Sequence, residues 1–419
     1  MTIDSSYLDL KEFCDDLFDH PELGYKEFRT KNKIMTYLND KNIHLPIEEF
    51  STTGMKIALS NDKDHSVAFV AELDAVYAPS HFNSDKETGA AHNCGHFTQV
   101  SIALALIEYY VHTKAYESLD FNLVFVFVPA EEYLDLEYRK QLVEEDVIQY
   151  YGGKPEAMRL GVFDEIDFAI SIHSIGEYFN EPTIEINCDL AGFLYKTYTF
   201  KGKASHAGFD PFSGVNAYNM STMFHTALGL RRQQIKDDET VRINPIVLQS
   251  DMSTNVIPNE ITIGTDLRTQ SVDYMTQVAH WLDDIAKGAA LTQGGDVDIV
   301  TQMGYLPFVQ NRYLNEFVAK AFDKSSQISH MIADRGSIAA AGDIGDLSFM
   351  MPCIQVSYGG FKGTIHGDDF KLDDPEFVLK TFPKFLVQVF EEMSGQIDYN
   401  QLYKRSYSEY ERLIEIIMK

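Results

Sequence analysis

The sequence predicts an α/β protein: a mostly parallel-sheet domain, discontinuous along the chain, with an α+β domain inserted into it. Three observations predict this. Residues 66–71, 121–128 and 167–172 are continuous apolar runs, the pattern of strands buried on both faces of a parallel sheet. Helical patterns separate them, as parallel crossovers require. From about Asn187 the character changes to weakly alternating strands with hairpin-type connections, and residues 353–357 return to the buried-strand pattern. The expected division is 1–186 and 303–419 for the sheet domain and 187–302 for the insertion, which fits a length of 419 residues.

Each element follows from local pattern. Residues 7–39 read as two helices broken at His20-Pro21-Glu22-Leu23-Gly24, where Pro21 and Gly24 end the periodicity. The run at 66–71 leads into Glu72-Leu73-Asp74. A loop with Pro79 and Gly89 reaches Ala91-His92-Asn93-Cys94-Gly95-His96-Phe97. Beyond it Phe97, Val100, Leu104, Ile107 and Val111 recur at helical spacing, predicting a helix with one buried face. The Val- and Phe-rich run at 121–128 is stopped by Pro129 and followed by Glu131 and Glu132. A polar helical stretch extends to Tyr150, and the strand at 167–172 ends at His173.

The insertion reads as a strand at 193–200, the turn Gly202-Lys203-Ala204-Ser205-His206-Ala207-Gly208, and a helix over about 214–232. Strands near 241–248 and 260–266, a helix over 272–288 and a strand near 297–303 complete it. A helix at 314–326 precedes the last buried strand. His366 then sits in the polar loop 363–369, and helices over 376–394 and 398–418 close the chain.

Chemistry gathers where the strands end. Cys94 and His96 stand two apart at a helix start, a place that favours the thiolate and suits a cation. Alone, the pair reads equally as a buried cysteine beside a satisfied histidine, and Glu131–Glu132 as a solvated charge pair. Together they read differently. Three predicted buried strands deliver Asp74, Glu131–Glu132 and His173 just past their C-terminal ends, where ligands bind in open parallel sheets. A metal ligand and a base are the expected roles for the two glutamates.

Composition bounds the rest. Against 35 Lys+Arg stand 63 acidic residues, a formal net charge of −28 that disfavours nucleic acid and anionic membrane surfaces as partners. No apolar run approaches the ~20 residues of a membrane span, and Met1-Thr2-Ile3-Asp4-Ser5-Ser6 lacks the basic and apolar regions of a leader. Cys14, Cys94, Cys188 and Cys353 lie far apart, which suits a reduced cytoplasm better than a disulfide framework.

Nearly the whole chain resembles the amidohydrolase branch of the two-metal aminoacylase/carboxypeptidase metallopeptidases, a group that includes hippurate, auxin-conjugate and aminobenzoyl-glutamate hydrolases. The resemblance is carried by His20-Pro21-Glu22-Leu23 with Glu27-Phe28-Arg29-Thr30, Leu73-Asp74-Ala75, Asn93-Cys94-Gly95-His96 and Pro129-Ala130-Glu131-Glu132. Ser205-His206-Ala207, Thr254-Asn255-Val256-Ile257-Pro258, Asp266-Leu267-Arg268-Thr269, Gly345-Asp346-Leu347-Ser348 and Ile365-His366 extend it in the same order.

The resemblance implies that Cys94, His96, Glu132, His173 and His366 hold two divalent ions, zinc or manganese, with nickel also within the range of such a donor set. It implies Glu131 as general base, Asp74 as a support behind the ligands, and His206 as the group polarising the scissile carbonyl, reaching the neighbouring subunit of a homodimer built on the insertion. Asn255 and Arg268 match positions at the substrate end of the cleft. The implied reaction is hydrolysis of the amide bond of N-acyl or N-aroyl amino acids. The alternatives are a dipeptidase or carboxypeptidase with the same site, or a family member that binds ligand without turnover. Three positions depart from the family pattern: Phe97 follows Cys-Gly-His in place of an acid or Asn, Val70 replaces a basic residue, and Glu72 replaces Asp.

Overall fold

The computed structural model describes residues 3–250 and 253–418; Met1 and Thr2, where the leader expectation begins, lie outside them. In chain order the main elements are α1 (Ile3–Asp19), α2 (Phe28–Asp40), β1 (Glu48–Phe50), β2 (Gly54–Ala58), β3 (Ser66–Glu72), α3 (His96–Thr113) and β4 (Asn122–Val128). Then come α4 (Leu136–Glu144), α5 (Gly153–Arg159), β5 (Phe168–Ser174) and β6 (Thr183–Glu185). Next are β7 (Gly192–Lys201), α6 (Ala217–Arg231), β8 (Arg242–Ile243), β9 (Ile246–Ser250), β10 (Glu260–Thr269), α7 (Val272–Thr292) and β11 (Asp296–Tyr305). The chain finishes with α8 (Arg312–Lys324), β12 (His330–Ile332), α9 (Ile344–Met350), β13 (Cys353–Tyr358), α10 (Phe382–Met393) and α11 (Tyr407–Met418). Among the described residues, no helix is long and apolar enough to cross a membrane.

Two compact units emerge. The first comprises the chain up to Cys188 with Val309–Gly336 and Asp346–Tyr407. Its eight-stranded sheet runs β1-β2-β4-β3-β5-β13-β6-β12. The centre, β4-β3-β5-β13, is parallel throughout, while the β1–β2 hairpin and β6 add antiparallel pairings toward the edges. All seven residues of β4 are buried, as a central strand covered on both faces requires.

Expectation and structure part company at α3. The sequence predicts one buried face, yet nearly all of α3 from His96 to Tyr110 is buried, including Gln99, Ser101 and Glu108. Its polar side chains face partners rather than water: Tyr37 donates to Glu108 at 2.7 Å and Ser101 to the Phe97 carbonyl at 2.8 Å. Two further corrections concern element ends. His173 lies within β5, one residue before its end, because β5 pairs with β13 as far as Ser174. The last predicted helix is broken, with a single turn at Tyr399–Gln401 and an extended stretch before α11.

The second unit comprises Asp189–Phe308, Ser337–Gly345 and the chain from Ser408. Its sheet is antiparallel, ordered β8-β10-β7-β11, with β9 also pairing β10. Alternation along β7 buries Tyr198 and Phe200, whose rings lie 5.0 and 6.0 Å from Phe224 of α6. Beside them Lys196 donates to Thr301 at 2.7 Å and pairs with Asp283 at 3.0 Å. Outermost, β9 leaves Ile246, Val247 and Leu248 about half exposed.

Candidate metal centre and active site

The site of the first unit begins with a glycine. Gly95 caps α3 with φ of 96°, a left-handed conformation that L side chains rarely adopt. A Cβ there would also lie 2.8 Å from Ser174 Cβ and Oγ. This turn aims Cys94 and His96 in one direction, toward the end of β5. Cys94 Sγ lies 3.5 Å from His173 Nε2. His173 Nδ1 donates to the Ser174 carbonyl at 2.9 Å, so its Nε2 carries the lone pair. His96 is fixed likewise, with Nδ1 donating to the Asp74 carbonyl at 2.9 Å.

Across from these, His366 Nε2 lies 3.1 Å from Glu132 Oε1. His366 has φ of 61°, and its amide donates to the Asn93 carbonyl at 2.9 Å, which pins that loop to the Cys94 turn. Three ligand-type groups result among the described residues: Cys94, His96 and His173; Cys94, Glu132 and His366; and Glu72, His96 and Glu131. In each group the candidate ligand atoms lie within 4.8 Å of one another; Cys94 is common to the first two and His96 to the first and third.

The turn that carries Glu131 and Glu132 is held at all three amides of residues 130–132 and at the carbonyls of Ala130 and Glu132. Asp74, fully buried, accepts the Glu131 amide on Oδ1 at 3.1 Å and the Glu132 amide on Oδ2 at 3.0 Å. Buried Glu27 accepts the Ala130 amide at 2.9 Å and the Thr53 hydroxyl at 2.6 Å. Arg139 of α4, also fully buried, donates to the carbonyls of Ala130, Glu132 and Tyr151. Such restraint keeps Ala130 at φ of 57°, a strained value for a residue with a Cβ.

Sequence reasoning marked Glu72 only as a departure from the family pattern beside the site, and did not assign Gln99, Lys154, Glu27 or Arg139 to it. Glu72 Oε2 lies 3.1 Å from His96 Nε2 and accepts from Gln99 Nε2 at 2.7 Å. Its Oε1 pairs with Lys154 Nζ at 2.6 Å. Glu131 Oε2 stands 3.9 Å from the same His96 nitrogen. Departure from the family pattern at Val70 and Glu72 was the signal available. It marks the position but does not reveal the partner.

Electrostatics follow from this crowding. Burial and the Glu132 carboxylate push the Cys94 thiol up, but His96 and His173 outweigh them and bring it down to about 6. Burial opposes charge on His366, yet its hydrogen bonds to Cys94 and Glu132 raise it to about 11. His96 and His173 are raised against their own burial, chiefly by Cys94 and Glu72. Burial likewise opposes the charge on Glu72, and Lys154 more than compensates, so its carboxyl is lowered. The anions of the cluster thus demand positive charge.

His206, Asn255 and Arg268 belong to the second unit. Residues Ser205–His206 pair with Val256–Ile257, and the Ala207 amide donates to the Asn255 carbonyl at 2.9 Å, so His206 and Asn255 are neighbours. Exposed His206 accepts the Gly208 and Phe209 amides on Nδ1 at 3.2 and 3.0 Å. In the neutral ring this leaves the proton on Nε2 as an outward donor. Arg268 is engaged separately, pairing with Asp266 at 3.2 Å and donating to the Ala339 carbonyl at 3.1 Å.

A mixed α/β sheet with a Cys/His/Glu cluster at the C-terminal edge of its parallel strands is the arrangement of a metal site in an open sheet, and the family match places it in the metallopeptidase class. Residues 68–392 match the family model "Peptidase family M20/M25/M40", and the chain belongs to that family and is a hydrolase of amide bonds. It is 25% identical over 341 residues to an N-acetyldiaminopimelate deacetylase of Streptococcus uberis, covering 77% of this chain and 83% of that one. It is 24% identical over 358 residues to an Xaa-Arg dipeptidase of Mus musculus, covering 81% and 73%. The fold matches that of a dinuclear metal-binding M20 peptidase from Bacillus subtilis, with a TM-score of 0.73 at 19% identity over 94% of this chain and all of that one. An aminobenzoyl-glutamate utilization protein from Klebsiella pneumoniae gives a TM-score of 0.65 at 17% identity, covering 94% and 98%.

Proposed function

We propose that this protein hydrolyses the amide bond of N-acyl or N-aroyl amino acids, or of related small amides, using two divalent ions held by Cys94, His96, Glu132, His173 and His366. The observation that carries the proposal is the pair of ligand-type groups sharing Cys94. A second observation favours a cation there: His96 Nε2 is buried, makes no well-aligned hydrogen bond, and stands among anionic groups, with Glu72 Oε2 at 3.1 Å and Glu131 Oε2 at 3.9 Å. A thiolate among imidazoles and one carboxylate suits zinc, and manganese or nickel are the alternatives. When bound, the ions supply Lewis-acid activation of water and of the scissile carbonyl.

The chain's own residues do the rest. Glu131, held by the Asp74-bound turn and only 8% exposed, takes a proton from water and returns it to the leaving amine. His206 presents Nε2–H to the carbonyl oxygen, and Asn255 and Arg268 line the substrate end. In this reading the second unit is the lid and dimerisation domain expected at 187–302, and the half-exposed aliphatic edge strand β9 favours pairing with a second copy in a homodimer. A cytoplasmic setting is part of this reading, and the four cysteines, each buried and none paired with another, suit it.

Dipeptide hydrolysis by the same residues is the second reading, favoured by the dipeptidase among the relatives. The test is metal analysis of purified protein, followed by a hydrolysis screen over N-acyl amino acids and dipeptides with zinc or manganese added. About two ions per chain and turnover of the acylated substrates are expected. Full metal loading without turnover of either class would leave a ligand-binding protein instead.

A further inference from the structure

Beyond Glu132 the chain makes an excursion that returns to its starting point. The Gly153 amide donates to the Ala130 carbonyl at 3.2 Å, and a Cβ on Gly153 would lie 1.6 Å from the Pro129 oxygen. Arg139 ties the two ends together by bonding both Glu132 and Tyr151. The first residues of the excursion, Leu134 and Asp135, form one wall of a cavity of about 570 Å³.

Three of its lining residues are joined through the backbone to segments that carry Asp74 and Glu132. The Leu134 amide donates to the Glu132 carbonyl at 2.8 Å. Tyr77 follows Asp74 by three residues, and Leu23 bridges Ala75, the residue after Asp74. The lining chemistry is equally specific. Pro21, Leu23, Tyr77 and Leu134 supply an apolar surface, and Tyr77 is 58% exposed. The lining cation is already spent: Lys26 pairs with Asp135 at 2.6 Å, while the Glu22 carboxylate accepts the Arg29 and Thr30 amides at 3.0 and 2.7 Å. An anionic group would face Glu22 with no unpaired lining cation to offset it, whereas an uncharged apolar group would be covered.

We propose that this cavity receives the acyl portion of the substrate, an uncharged aryl or alkyl group, and that the 133–152 excursion sets acyl preference. The proposal rests on the amidohydrolase reading for the identity of the substrate. Leu134 and Tyr77 are then specificity-determining residues, on the side of the scissile bond away from the amine.

The test compares kcat/KM for N-acetylglycine, N-hexanoylglycine and N-benzoylglycine in metal-loaded wild type, Leu134→Trp and Tyr77→Ala. Filling the cavity should lower the benzoyl-to-acetyl ratio by about tenfold or more in Leu134→Trp, the scale of a lost apolar pocket contact. Tyr77→Ala, which removes a wall without crowding, should shift the ratio in the same direction by less. An unchanged ratio in both variants overturns the proposal. So does a shift that tracks the amino acid, seen with N-acetylglycine against N-acetylleucine. If no amide is turned over despite full metal loading, the hydrolase reading fails on its own, and the cavity is judged by benzamide binding in ligand-observed NMR. Binding to wild type that is lost in Leu134→Trp keeps the apolar site; no binding to wild type, or equal binding to both, removes it.

Discussion

Lys154 Nζ lies 2.6 Å from Glu72 Oε1, with neither side chain more than 4% exposed, directly behind His96. Where Val70 offers no charge, the cation reaching Glu72 comes instead from α5, some eighty residues away. Breaking a buried pair from one side leaves an uncompensated charge and costs about 3–5 kcal/mol. Lys154→Met should therefore lower the unfolding free energy of the metal-free protein by about that amount. Glu72→Gln added to Lys154→Met should recover much of the loss. Denaturant titrations of the four proteins in the cycle measure it, and equal stability of the single and double variants would exclude the pair as the cause.

Glu131 and Glu132 are adjacent yet face different tasks. Glu131→Gln should lower kcat by about 10²–10⁴-fold while metal content stays near two ions per chain. Glu132→Gln, which removes the partner of His366, should lose metal as well as activity. Metal analysis of both variants decides it, and equal metal loss would mean the two roles are wrongly divided.

Cys94 and the other cysteines should separate by pH. In chelator-treated protein the Cys94 thiolate, with its pKa brought down to about 6, forms as pH rises through that value. Alkylation mapped by mass spectrometry should thus reach half its plateau rate near pH 6 and be suppressed by added zinc. Cys14, pushed up to about 12 by burial, and Cys353, pushed higher still, should stay unmodified until the protein unfolds. For the same reason Cys94→Ser should weaken metal binding most above pH 6, where wild type offers a thiolate. Identical metal affinity in both proteins at pH 8 would reduce Cys94 to a core residue.

Arg139 donates to no proposed ligand side chain; it bonds the Ala130 and Glu132 carbonyls of the turn that carries Glu131, and the Tyr151 carbonyl. Arg139→Met should lower kcat by about 10²-fold through misplacement of the base, with metal content and KM little changed. Arg139→Lys, which restores a donor, should recover part of the rate. A fall in stability alone, with kcat intact in the folded fraction, would make Arg139 structural.

His206 offers a test of assembly. Inactive Glu131→Gln and inactive His206→Ala chains, mixed and allowed to exchange, form mixed dimers in about half of all cases. If His206 serves the partner's site, each mixed dimer holds one intact site, and roughly a quarter of all sites regain activity. Activity fixed at the parental level after confirmed exchange would place His206 in its own chain's site.

Much of this was legible in the residues alone. Short continuous apolar runs bounded by turns fit strands covered on both faces, so β3, β4, β5 and β13 were readable locally, as were Asp74, Glu131–Glu132 and His173, which the first three deliver near the sheet edge. Gly95 between Cys94 and His96 marked the turn, because a left-handed helix cap requires its missing side chain. Tertiary structure alone decided which distant groups meet. The pairing of Lys154 with Glu72, the grip of Glu27 and Arg139 on the 130–132 turn, the burial of α3 from His96 to Glu108 and the β1–β2 hairpin have no local periodicity to announce them. Sequence pattern reports which face of an element avoids water. Desolvated charges are chosen instead by the partners that folding brings within about 3 Å, and that is a property of the packed chain.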